Sequence, residues 1–165
     1  MKQHDNTKLS KKLLDNIITQ IESAKSHVAL YTNSAVVMLY WNVGKLLNIE
    51  ILNNNRAEYG EQILPQLAKE LTLLYGNGFD RPNLSRMVKF SKLYSQEICV
   101  TLSQQLSWSH IIRLISIEDE LKRNFYAEIC RLERWSVRTL RQKIDNMLFE
   151  RTAIAKKPES VITLE

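Results

Sequence analysis

Apolar residues recur at Leu14, Ile21, Val28 and Ala35, and again at Ile17, Ala24, Tyr31 and Met38, two interleaved series seven apart. That spacing predicts one stripe along a long helix or helix pair between Leu9 and about Leu52, a stretch with no proline and only Gly44 as a glycine. Asn33-Ser34 is the place where such a helix could break. Two uses of the stripe are open. It can cover the chain's own bundle, which suits Val36 to Leu47, apolar on more than one face, or it can join chains as a coiled coil. Asn53-Asn54-Asn55 reads as the turn that ends the element.

Residues 57 to 94 then read as two amphipathic helices. The first carries Ile63, Leu64, Leu67, Leu71 and Leu74 along one side, and Gly76-Asn77-Gly78 stops it with residues that tolerate positive φ. Asp80 can cap the next helix, and Pro82 suits a first turn, where a missing N–H costs nothing. That second helix runs to about Tyr94. At about 100° per residue, Leu84, Met87, Val88 and Tyr94 share one sector while Ser85, Arg86, Lys89 and Lys92 gather opposite. Two helices across a tight turn are the outline of a helix-turn-helix. An ordinary helical hairpin with a solvated charged face shares this pattern.

From residue 95 to 105 the periodicity weakens, and β-branched Ile98, Val100 and Thr101 leave a loop, a short strand or a hairpin open. A β-wing here would make the domain a winged helix-turn-helix. Ser107-Trp108-Ser109-His110 opens a helix with Ile111, Ile112 and Ile115. Ser116, with Asp119 three on, caps another bearing Leu121, Phe125, Ile129 and Leu132. Ser136 caps the last, whose stripe is Val137, Leu140, Ile144 and Met147 or Leu148, with Arg138, Arg141 and Arg151 outside. The pattern as a whole predicts an all-α helical bundle containing a helix-turn-helix, with one domain over residues 1–152 and a tail or linker over 153–165.

Composition agrees with this pattern. At 165 residues and 44% hydrophobic content the chain can bury an ordinary core, and four glycines with three prolines leave few strand turns. No apolar run approaches membrane-spanning length, and Met1 to Lys12 lacks a signal peptide's apolar segment, so a cytoplasmic protein without a membrane partner is expected. Cys99 and Cys130, like His4, His27 and His110, are too scattered for a metal site, and neither metal nor cofactor is expected.

Charge adds more. The net charge is +5, yet residues 1–80 balance 8 cations against 8 acids while residues 81–165 hold 15 against 10. The excess begins at the second helix of the hairpin. Residues 81–92 carry four cations and no acid, and residues 131–157 carry eight against three. Such patches suit a nucleic-acid partner. On this reading Arg81, Arg86, Lys89 and Lys92 neutralise phosphates of double-stranded DNA, Asn83 or Ser85 reaches a base edge, and Arg138 and Arg141 extend the contact.

Several motifs resemble one family. Tyr40-Trp41-Asn42-Val43-Gly44, Arg56-Ala57-Glu58-Tyr59-Gly60, Gly76-Asn77-Gly78-Phe79 and Asn83-Leu84 are similar, in order, to elements of the N-terminal domain of the YhcG-like bacterial proteins. Leu106 to His110, Trp135-Ser136-Val137 and Phe149-Glu150-Arg151 continue the resemblance, which covers roughly Ile17 to Glu159. It implies a helical module of winged helix-turn-helix type that binds DNA ahead of a PD-(D/E)xK nuclease half. That half would lie beyond the point where this chain stops, so no enzyme activity is expected, and a separate nuclease-domain partner is one implication.

Two constellations still invite a catalytic reading. Glu120-Leu121-Lys122 spells the nuclease's E-x-K, but in a helical pattern without a partner strand acid. Ser107, Ser109 and His110 offer a hydroxyl near a base, yet serines ahead of a helix are caps and no orienting acid is evident. Trp41, Trp108 and Trp135 read as core anchors. The expectation is therefore a non-catalytic DNA-binding module. The alternative is an interaction module, homodimeric through the heptad of residues 14 to 38.

Overall fold

A computed structural model describes the backbone of residues 3–53 and 57–156, and the side chains of residues 11–50 and 63–154. These form eight helices: α1 (Gln3–Asn53), α2 (Ala57–Tyr75), α3 (Arg81–Leu93), α4 (Gln96–Ser103), α5 (Trp108–Leu114), α6 (Glu120–Leu132), α7 (Val137–Asp145) and α8 (Leu148–Lys156). A single 3-10 turn, Asn77–Phe79, joins α2 to α3. There is no strand among the described residues, and no helix is long and apolar enough to cross a membrane. The all-α class expected from the pattern is the class observed. Of the Arg56 to Gly60 motif and the Asn53 to Asn55 turn, only the backbones of Asn53 and Ala57 to Gly60 lie within the described residues.

The second half of α1 is the spine of the fold. Val37 and Trp41 enter a core built with Phe90 and Tyr94 of the α3 end, Cys99 and Leu102 of α4, Ile111 and Leu114 of α5, Tyr126 of α6 and Leu140 of α7. A smaller cluster of Leu47, Ala68, Leu84 and Met87 joins α1, α2 and α3. At the crossing of α1 and α3 the backbones touch, because a Cβ on Gly44 would overlap the carbonyl of Met87. Only glycine admits that approach.

The structure revises several local expectations. Asn33-Ser34 does not break α1; instead Asn33 Nδ2 donates to the carbonyl of Leu106 at 3.0 Å, and Ser34 Oγ lies 3.0 Å from Ser103 Oγ, so the pair docks the end of α4. Of the two uses open to the heptad stripe, covering the chain's own bundle fails over the first half, since every residue from 11 to 32 is exposed. Residues 96–103 are helical, with Ser95 accepting from the N–H of Ile98, which replaces the wing. Leu74, assigned to the buried stripe of α2, is 68% exposed.

Further differences concern the last third. Asp119, not Ser116, caps α6 by accepting from the N–H of Lys122, while the Ser116 hydroxyl donates back to the carbonyl of Arg113. The inward face of α6 is Arg123, Tyr126, Ala127 and Cys130, leaving Leu121 and Leu132 outside. The helix capped by Ser136 ends at Asn146, because Met147 takes φ 53 and separates α7 from α8. Helix continues past Thr152 to Lys156, inside the span expected as tail.

Substituting Gly44→Ala should therefore destabilise the fold by about 3 kcal/mol or more, since backbone must move to admit the methyl group. Gly76→Ala, at φ 85 with nothing within 4 Å, should cost only about 1 kcal/mol of backbone strain. Urea unfolding of both variants measures the contrast.

Candidate nucleic-acid interface

Local chemistry sets where α3 begins. Asp80 Oδ1 accepts from the N–H of Asn83 at 2.8 Å, and Pro82 occupies the first turn. The helix presents Asn83, Leu84, Met87 and Phe90 inward. Its roll is fixed over its second half by side chains of α1. Trp41 Nε1 donates to the carbonyl of Tyr94 at 2.9 Å, and Asn48 Nδ2 donates to the carbonyl of Val88 at 3.0 Å and to Ser91 Oγ at 2.6 Å.

With that face buried, Arg81, Ser85, Arg86, Lys89 and Lys92 are all exposed on the remaining sides. None of the four cations joins an ion pair among the described residues. Lys69 of α2, which the sequence pattern did not single out, lines the same shallow depression as Arg81, together with Thr72 and Glu70. Its only sequence signal was a polar position on α2 beside the buried Ala68.

Asn83 is not on this face. It is buried, its Nδ2 donates to the carbonyl of Gly78 at 2.5 Å, and its Oδ1 accepts from Trp108 Nε1 at 2.8 Å. A side chain spent in this way cannot reach a base edge without leaving two buried groups unpaired. Ser85 keeps an exposed hydroxyl. Arg138 and Arg141 are exposed on α7, where Arg141 Nε lies 3.6 Å from Asp145 Oδ2. That helix packs on α5, α6 and α8 rather than on α3, so the two cationic helices do not merge into one packed patch.

The residues considered for catalysis are tied into the scaffold. His110 Nδ1 accepts from the N–H of Ser107 at 3.1 Å and lies 2.8 Å from its hydroxyl, while Nε2 donates to the carbonyl of Trp135 at 2.9 Å. A backbone carbonyl, not a carboxylate, orients the ring. Burial of the ring, partly opposed by the Trp135 carbonyl, holds its pKa below the usual 6.5. Lys122 of the E-x-K triplet, in the first turn of α6, pairs with Glu150 of α8. Trp41 is buried as expected; Trp108 is half-buried against Tyr40 at 4.8 Å between ring centres, and half-buried Trp135 donates its indole N–H to Glu133.

Arg123 is the residue that pattern missed most. Its guanidinium is buried without a carboxylate, and Nη1 donates to the carbonyls of Ile117 and Glu118 at 3.0 and 3.2 Å, closing the loop between α5 and α6. It also lies 5.8 Å from the ring centre of Tyr94, whose phenol burial pushes up to about 12. A charged residue in an otherwise apolar helical phase was the available signal.

Fold and site together define an all-helical domain that displays one unpaired cationic helix on a rigid support. The chain belongs to the family described as the DUF1016 N-terminal domain, whose model matches residues 16–151. It is similar to the protein named "Putative nuclease YhcG" from Escherichia coli (strain K12), with 26% identity over 179 residues, covering 90% of this chain and 48% of that protein. The chain thus spans about half the length of that relative. No solved structure matches it.

Two outcomes follow for the buried polar groups. Asn83→Ala should cost about 2 kcal/mol by orphaning Trp108 Nε1 and the Gly78 carbonyl, read by thermal or urea unfolding. For His110 the folded pKa lies below the unfolded one, so its contribution is complete above pH 6.5 and is lost as pH falls beneath that value, where the unfolded chain takes up a proton that the folded chain refuses. The melting temperature should decline between about pH 7 and pH 5, and His110→Gln should flatten that decline.

Proposed function

We propose that this domain is a non-catalytic module that binds double-stranded DNA through the outward face of α3. The observation that carries the reading is the set of exposed, unpaired Arg81, Arg86, Lys89 and Lys92 on a helix with no acid from residue 81 to 92. Four cations within about three turns can neutralise phosphates, and a hydroxyl among them, Ser85, can donate or accept at a base edge. Lys69 adds a fifth cation from the preceding helix, where helix-turn-helix proteins cross the backbone. Arg138 and Arg141 make a separate, secondary contact from α7.

The name of the Escherichia coli relative supports nucleic acid as the ligand class. In this reading the module holds duplex DNA for a nuclease-domain partner, and its setting is the cytoplasm.

Electrostatic binding of this kind should show a log–log salt slope of roughly −4, from about 0.9 per neutralised phosphate. Arg86→Ala/Lys89→Ala should lower duplex affinity by about tenfold or more and reduce the slope by about 2. Mobility-shift titration at several salt concentrations measures both. Equal affinity in variant and wild type would exclude α3 as the reader.

A further inference from the structure

The first half of α1 is the largest feature that the DNA reading does not use. At about 1.5 Å per residue the helix is roughly 75 Å long, and it meets the bundle only from about Leu30, which lines a depression with Gln104, Gln105, Arg134 and Trp135. Among the described residues, every one from 11 to 32 is exposed. Along this free half, Leu14, Ile17, Ile21, Ala24, Val28 and Tyr31 occupy the alternating three-and-four spacing of a heptad seam. Leu14 is 56%, Ile21 47%, Val28 65% and Tyr31 79% exposed. A helix standing in water gains nothing from such a stripe, since helices draw most of their stability from packing an apolar face.

We propose that residues 13–31 of α1 form a two-stranded coiled coil with a second copy of this chain. Three features select that occupant. The repeat over residues 14–31 is the heptad that lets a seam face an identical helix, and the residues by which α1 enters its own core, Val37, Trp41 and Leu47, lie outside it. Positions beside the seam cause no like-charge contact in a parallel pair: Lys25 faces Gln20 of the other helix, and Leu13 faces Ile18. Leu13 and Ile18, 61% and 48% exposed, flank the seam residues and widen the apolar strip that a second copy would bury.

Light scattering on the 165-residue chain tests this without DNA, so its outcome is independent of the α3 reading. At about 50 µM the wild type should have twice the mass of one chain, and Ile17→Glu/Ile21→Glu should have the mass of one. Because these side chains stand outside the bundle, the double variant should keep the cooperative unfolding of the parent. If it does not, Val28→Glu alone serves as the monomer-forming change. Leu46→Glu, on the same helix, 68% exposed but off the seam, should remain dimeric. A wild type of one mass, or of more than two, overturns the proposal, as does a dimer that survives the seam substitutions or dissociates with Leu46→Glu.

Discussion

The contact between Gly44 and the backbone of Met87 governs the rest of the architecture. Without a side chain at position 44, α1 and α3 meet backbone to backbone, close enough for Trp41 and Asn48, one turn to either side, to reach carbonyls of α3 and its cap. Residues 41, 44 and 48 share one face of α1, so the three interactions act in one line and leave α3 no freedom to roll. The face turned away from that line is the one that carries the cations. A surface feature is thereby set by a buried one.

A second layer repeats the same logic around Asn83. Tyr40 packs edge-on against Phe79 and Trp108, with ring centres 5.9 and 4.8 Å apart, and Asn83 joins the Gly78 carbonyl to the Trp108 indole. Several residues that carry the family resemblance, Tyr40, Gly78, Phe79, Asn83, Leu84 and Trp108, thus form one packing unit. They are the mounting of α3. The exposed residues proposed to touch DNA lie outside those motifs, which is why the motifs identify the family without naming a contact.

Helix α1 has two halves with opposite environments. From Asn33 on, Asn33, Ser34 and Asn48 dock neighbours and Val37, Trp41 and Leu47 enter the core, while Leu39, Leu46 and Ile49 stay exposed; before Asn33 every residue from 11 to 32 is exposed. These core residues lie outside the two heptad series of residues 14 to 38, and the pattern did not separate the two halves because periodicity records which side of a helix is apolar and not what lies beside it.

Local chemistry was legible in the sequence. The all-α class, the stop at Gly76, the caps at Asp80 and Ser136, and the onset of charge at Arg81 all depend on residues within a turn or two of one another. Burial and commitment of side chains were not. Asn83 and Ser85 are both small polar residues near the start of one helix, and only the arrival of Trp108 and Gly78 from elsewhere turns one inward; Arg123 reads as surface until the loop carbonyls above it close. The sequence by itself determined the all-α class, the stop at Gly76, the starts at Asp80 and Ser136 and the charge the helices bear. Which faces meet, and so which charges and apolar stripes remain outside, was decided by the tertiary structure, because burial depends on neighbours distant in the chain.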